Sequence, residues 1–265
     1  VNELPIALTV AGSDSGGGAG IQADLKVFFA LGCHGTSALT ALTAQNTVGV
    51  TGIQEIPPEF VVRQIDAVVD DMGVDAAKTG MLSSAPIIRA VSEAFSRIGV
   101  PLVVDPVFVS KHGDRLLDPD AVGALRDLLF PLASVVTPNL HEASALVGEE
   151  IESIDDMKRA AKILVDLGPR SALVKGGHLG GDRAVDVYFD GSGFEELDGP
   201  RYETEDTHGT GCALAAAITA GLAKGDEPVD AIRAAKTFVA GAIESGLRIG
   251  RGYGPVNVGW RTPKS

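Results

Sequence analysis

Apolar and polar positions follow two rhythms along this chain. Short, mostly apolar runs at Pro5 to Val10, Val74 to Ala77, Leu102 to Val104, Ser134 to Val136 and Ala172 to Val174 have the length and composition of buried strands. Between them the spacing changes to that of amphipathic helices. One predicted helix carries Ile21, Leu25, Phe28 and Phe29 on a common face; another runs from about Glu59 to Met72. Ser84 is placed to cap a helix reaching Arg97, with Pro86 tolerated in its first turn. A further helix is expected from about Pro119 to Leu129, and one opens at Ser153 with Asp156 at its positive end. Val185 to Phe189 reads as an antiparallel addition, and helical stretches around Ala213 to Ala223 and Pro228 to Arg248 close the chain. Strand–helix alternation with fully apolar strands implies a mostly parallel sheet covered on both faces. The expectation is one α/β domain over residues 1–265, without an internal repeat.

Composition narrows the class of partner. A formal net charge of −13 argues against nucleic-acid phosphates, so any anionic ligand needs a local cationic or dipolar site. The excess of Asp, and of Arg over Lys, fits either a salt-adapted source or a GC-rich genome. No apolar run has the length of a membrane helix, and no basic leader precedes a short apolar core. Cys33 and Cys212 allow at most one disulfide, and reduced thiols in a cytosolic protein are expected.

The polar residues that follow the strands carry the chemistry. Gly12-Ser13-Asp14 follows the first strand, Lys78-Thr79-Gly80 the next, and then come Asp105, Thr137-Pro138-Asn139 and Lys175-Gly176-Gly177. Turn residues at strand ends are ordinary. In a parallel sheet, however, the ligand cleft lies beyond the carboxyl ends of the strands, and this set suits a phosphate and a metal.

Two glycine-rich elements stand out. Gly12 to Gly20 lacks the Gly-Lys-Ser/Thr close of a Walker loop and the spacing of a dinucleotide loop; it shows only that backbone bends tightly and approaches something closely. Thr207-His208-Gly209-Thr210-Gly211-Cys212 runs straight into the helical Ala213 to Ile218, so Gly209 to Cys212 offer backbone N–H groups at a helix N-terminus. That is a cradle for a phosphoryl group in transfer. The same dipole is expected to favour a Cys212 thiolate, against the plainer reading of a small buried residue opening a helix. Cys33 reads as packing. The histidines and cysteines lack zinc spacing, and no Gly-x-Ser-x-Gly elbow is present.

In order, the chain contains AGSDSGGGAGIQADLK from Ala11, ALTAQNT from Ala41, KTGML from Lys78, DPV from Asp105, TPNLHE from Thr137, VKGGH from Val174 and THGTGC from Thr207. Nearly end to end, these fragments resemble the hydroxymethylpyrimidine/phosphomethylpyrimidine kinases of thiamin biosynthesis, enzymes of the ribokinase-like three-layer α/β/α fold. The resemblance implies two successive phosphoryl transfers from ATP with Mg²⁺, first to the pyrimidine's hydroxymethyl group and then to the monophosphate. It also implies a cytoplasmic homodimer. It assigns Gln45 and Asp24 to hydrogen bonds with the aminopyrimidine, and Gly12, Met81 and Val107 to the pocket wall. Gly209, Thr210 and Gly211 become the anion hole, with Cys212 as base. Lys175, Thr207 and Asp105 are assigned to ATP phosphates, and Asn139 and Glu142 to Mg²⁺ through water.

Departures from the family pattern lie at Cys33 to Thr36 and around Lys111-His112-Gly113. Three other readings are weighed. Pyridoxal or pyridoxine kinase shares the fold and a hydroxymethyl heterocycle as substrate; Gln45 and Met81 favour the pyrimidine. A non-catalytic ligand sensor is disfavoured by the intact polar set, and a sugar kinase by Cys212 standing where an aspartate is expected.

Overall fold

The structure is a computed structural model that describes residues 4–109, 113, 116–117, 120–177, 179 and 183–262. Nine strands form one sheet: β1 (Ile6–Asp14), β2 (His34–Gln45), β3 (Val50–Glu55), β4 (Ala76–Thr79), β5 (Leu102–Val104), β6 (Val135–Val136), β7 (Ala172–Val174), β8 (Asp186–Phe189) and β9 (Phe194–Leu197). Their order across the sheet is β3-β2-β1-β4-β5-β6-β7-β8-β9. β2 through β7 run parallel along that order, while β3, β8 and β9 pair antiparallel at the two edges.

Strand alternation explains the three layers. In β1 Ala7 faces one side while Leu8 and Val10 face the other, and Val103 and Leu173 are likewise opposed to Val104 and Val174. Helices α1 (Gly20–Ala30), α7 (Thr210–Ala223) and α8 (Pro228–Glu244) cover the first side. The second is covered by α2 (Pro58–Met72), α3 (Ala85–Ile98), α4 (Ala121–Ala124), α5 (Leu140–Val147) and α6 (Ile154–Asp166). The alanine-rich stretch of α7 is buried almost throughout, because its small side chains let it lie close against β1, β4 and β5.

Several sequence expectations are corrected. Phe29 is 85 % exposed and lies off the face of α1 that buries Ile21 and Phe28. β2, β3 and β9 were not anticipated; β2 has polar residues within its alternation, and β3 is almost wholly exposed. β4 lies two residues further on than the apolar run suggested, and places Lys78 inside the strand. Ser84 stands at the N-terminus of α3, but its side chain makes no capping bond. The segment expected as one helix to Leu129 is α4 followed by a π turn (Leu125–Leu129) and a 3₁₀ turn (Phe130–Leu132). Its expected start, Pro119, lies outside the described residues, as do Lys111 and His112. The closing helix stops at Glu244 rather than Arg248.

Candidate active site

β1 lies between β2 and β4, so the chain leaves it in opposite directions, and a crevice forms beyond the strand ends at such a point. Into this crevice points the start of α7. Gly209 stands at its N-cap with φ 82°, a left-handed conformation that favours glycine, and its Cα lies against the carbonyl of Gly18 with no room for a side chain. Thr210 N–H and hydroxyl both donate back to Thr207 O, and Ala213 N–H donates to Gly209 O. Between these two bonds the N–H groups of Gly211 and Cys212 remain at the helix terminus for an anion.

A cleft of about 1020 Å³ opens in front of this turn. Thr207, Gly209 to Cys212, Asp105, Val107, Asn139, Glu142 and Lys175 all line it, so residues far apart in the sequence meet at one place. Lys175 Nζ donates to Asp105 Oδ1 at 3.0 Å, and Thr137 Oγ1 donates to the same oxygen at 3.0 Å. Asp105 Oδ2 and Lys175 Nζ lie 3.8 and 3.4 Å from where a Cβ on Gly211 would stand. The cation therefore adjoins the helix terminus, and only a residue without a side chain leaves space between them. Burial works against the Lys175 charge, but Asp105 and Glu142 hold the amine above its ordinary value.

Asn139 and Glu142 form a reciprocal cap on α5: Glu142 N–H donates to Asn139 Oδ1 at 2.9 Å, and Asn139 N–H to Glu142 Oε2 at 2.8 Å. The Glu142 carboxyl is buried, which pushes its pKa up to about 7, with Lys175 pulling down and Asp105 adding to the rise. Among the described residues no three His, Cys, Asp or Glu side chains converge into a metal cage. This set fits Mg²⁺ only in its habitual mode, held by phosphates and water beside one or two carboxylates. Asp105 and Glu142, which both line the cleft, would be those carboxylates.

Cys212 is half-buried at the first turn of α7, with Gly20 N–H near its sulfur. The dipole was expected to favour a thiolate; burial instead pushes the thiol up to about 12, against the opposing charge of Lys78. The helix N-terminus is outweighed by desolvation and by Asp24 and Asp105 nearby.

The residues assigned to the pyrimidine divide. Val107 lines the cleft. Gly12 lies against Met81, whose Sδ is 3.0 Å from where a Gly12 Cβ would stand, and the Gly12 carbonyl closes on Gly20, next to Cys212. Gln45, half-buried at the end of β2, accepts from Thr43 Oγ1 at 3.1 Å, with Ser15 Oγ bonded to its backbone on both sides. Asp24 has no exposed surface: its Oδ2 accepts from Lys78 Nζ at 2.8 Å and from Thr9 Oγ1 at 2.7 Å. Its Oδ2 is thus committed within the interior.

Lys78 and Asp14 stand in the polar set that follows the strands, but the sequence assigns neither a role of its own, and His208 enters only as part of the THGTGC motif. Lys78 is wholly buried; burial alone would lower it, but Asp24, Cys212 and Asp105 hold it above its ordinary value. Asp14 and His208 are joined at 2.8 Å. A lysine inside an apolar strand was the available signal for the first. The other two are 194 residues apart, and nothing local couples them.

The family described as phosphomethylpyrimidine kinase matches residues 14–257. The chain is 55 % identical over 256 residues to the hydroxymethylpyrimidine/phosphomethylpyrimidine kinase of Streptomyces coelicolor, covering 97 % of this chain and 95 % of that one. Its fold is similar to the ADP complex of Bacillus subtilis pyridoxal kinase, with TM-score 0.91 at 41 % identity over 97 % of this chain and 98 % of that one. It is also similar to the phosphomethylpyrimidine kinase of Clostridium difficile, with TM-score 0.80 at 43 % identity over 90 % of this chain and 99 % of that one. With the ribokinase-like sheet and the anion turn in place, these similarities have one reading: the chain belongs to the hydroxymethylpyrimidine/phosphomethylpyrimidine kinase family.

Proposed function

We propose that this protein phosphorylates 4-amino-5-hydroxymethyl-2-methylpyrimidine to its monophosphate and then to the diphosphate, in thiamin biosynthesis. The observation that carries the reading is the meeting of the α7 terminus, the Lys175–Asp105 pair and the Cys212 sulfur at one end of the cleft. ATP supplies the phosphoryl group. In the first transfer the substrate oxygen forms its bond to the γ-phosphorus as the bond to ADP breaks, and the hydroxyl proton passes to the ionised Cys212 sulfur. In the second the nucleophile is already an anionic phosphate oxygen. Gly211 and Cys212 N–H groups receive the negative charge of the phosphoryl oxygens, Lys175 neutralises it from the side, and Thr207 flanks the same turn. Asp105 and Glu142, with Asn139 holding Glu142 in place, are the carboxylates beside which Mg²⁺ would sit.

On the other flank, the pocket of Gly12, Met81, Val107 and Gln45 would take the heterocycle, the Gln45 amide offering both donor and acceptor. Asp24 would shape this pocket from beneath. Residues 1–265 would act as one kinase domain. A homodimer is supported by the open edge strand β3 and the exposed Ile53 and Val48 beside it. A cytoplasmic setting is supported by the two free cysteines; among the described residues no helix is long and apolar enough to cross a membrane.

Pyridoxal phosphorylation is the second reading, favoured by the TM-score of 0.91 to a pyridoxal kinase. A kinase assay with purified protein, ATP and Mg²⁺ separates the two, with hydroxymethylpyrimidine and pyridoxal in parallel and mono- and diphosphates resolved. Both pyrimidine phosphates are expected. Turnover of pyridoxal alone would move the function to vitamin B6 salvage.

A further inference from the structure

The glycine-rich loop between β1 and α1 has the look of a phosphate cradle, yet its donors point inward. Gly16 N–H donates to Asp14 Oδ1 at 2.8 Å, and Gly18 and Ala19 N–H donate to Asp14 Oδ2 at 3.1 and 2.9 Å. Gly17 N–H closes on the Asp14 carbonyl at 2.9 Å. Four successive N–H groups are thus committed to one residue, and the loop carries its own anion. A fifth donor comes from far away: His208 Nε2 lies 2.8 Å from Asp14 Oδ2. Since that oxygen is a carboxylate already receiving N–H groups, the histidine nitrogen facing it bears the proton. Burial works to raise the Asp14 carboxyl, but His208 and the Gly16 and Ala19 amides outweigh it and hold Asp14 below the usual carboxylate value.

His208 is itself fixed from behind. Its N–H donates to Gly254 O at 3.0 Å and its carbonyl accepts from Val256 N–H at 3.1 Å. Its ring lies flush with the loop: a Cβ on Gly18 would stand 2.5 Å from His208 Cδ2 and 3.0 Å from Pro255 Cβ. The next residue, Gly209, meets the Gly18 carbonyl at the mouth of the anion turn. On the other side the loop ends in Ala19, a wall of the cleft, and in Gly20, whose N–H lies near the Cys212 sulfur.

We propose that Asp14 and His208 are positioning residues for phosphoryl transfer. The Asp14 carboxylate folds the glycine-rich loop around itself, and His208 latches that loop to the anion turn, so that Ala19, Gly20 and Gly209 hold the turn and Cys212 in register. Neither residue lines the cleft. They act through the loop, and the assignment of a catalytic effect rests on the kinase reading of the site.

The test compares His208→Ala with His208→Gln, whose amide keeps a donor near the position of Nε2. Kinetics with ATP and hydroxymethylpyrimidine are paired with hydrogen–deuterium exchange over residues 15–20 in the full chain. His208→Ala is expected to lose exchange protection there and to lower kcat about 100-fold, with KM for ATP within about threefold, as for a site displaced by about an ångström. His208→Gln is expected to recover most of both. Unchanged protection in His208→Ala, kcat close to wild type, or a glutamine variant no better than alanine overturns the latch. The exchange measurement does not depend on turnover. A wild-type protein inert towards the pyrimidine, together with lost protection in His208→Ala, would remove the kinase reading and leave the loop docking standing.

Discussion

Replacing Cys212 by alanine separates two jobs that one sulfur could hold. A thiol at about 12 is ionised in only about one molecule in 30,000 at a pH of about 7.5. A base so rarely available but so strong makes the first transfer climb with pH, about tenfold per unit between about pH 7 and 9. The sign follows from the thiolate population, which grows as the pH approaches the thiol's value from below. The second transfer, whose nucleophile is already ionised, should be nearly flat. Removing the sulfur is then expected to slow the first transfer about 100-fold at the upper end of that range. The second should fall by no more than about threefold, because the loose transition state takes its stabilisation from the anion turn. The assay is single-turnover phosphorylation of the alcohol and, separately, of the monophosphate, from about pH 6.5 to 9.5. Equal losses in the two steps, or a pH slope that survives in Cys212→Ala, would refute the base role. The sulfur would then be a spacer in the wall of the anion hole.

Three further outcomes follow from the same geometry. Lys78→Met strands the fully buried Asp24 carboxylate, whose Oδ1 already lacks a partner, and should cost about 3–5 kcal/mol in denaturant unfolding. Adding Asp24→Leu should return most of it; a double variant no more stable than the single one would contradict the ion-pair account. Gly211→Ala introduces a Cβ at 3.4 Å from Lys175 Nζ, an ordinary contact, so the thermal midpoint should stay within about 2 °C while kcat falls about 100-fold through the narrowed anion space. Glu142→Gln keeps an acceptor for the Asn139 N–H but removes the charge, so half-saturation by Mg²⁺ should rise about tenfold with α5 intact by circular dichroism, an unchanged Mg²⁺ requirement being the contrary result.

The five apolar runs were enough to predict the parallel heart of the sheet, because a strand buried on both faces cannot hide its composition. The edges were not legible. β3 is exposed along nearly its whole length, so its sequence carries no burial signal, and β2 mixes Thr and Gln into its alternation. The meeting of Asp105, Asn139 and Lys175 at one cleft could be anticipated because each follows a strand end, and parallel strands deliver their ends to one place. The pairing of Asp24 with Lys78 was not legible, because the two are far apart in the sequence and only the fold brings them together in the interior. Nor did the helix dipole decide the state of Cys212, since burial, invisible in a linear sequence, outweighs it. The glycine-rich loop was seen as tight backbone, but what it tightens around is a residue of its own motif, and what secures it comes from the last third of the chain.

That last bond sets an order of events during synthesis. Asp14 leaves the ribosome long before His208, and β1 can pair with β2 and β4 while the carboxylate still lacks its distant partner. Gly254 and Val256, which pin His208, emerge later still. A nascent chain can therefore assemble most of its sheet without a working loop, and a product truncated before about residue 250 would keep much of the sheet-forming sequence yet lack the clasp. On the proposed latch, activity would be gained only after residues 254–256 have been made, and shorter copies would not compete as working enzymes.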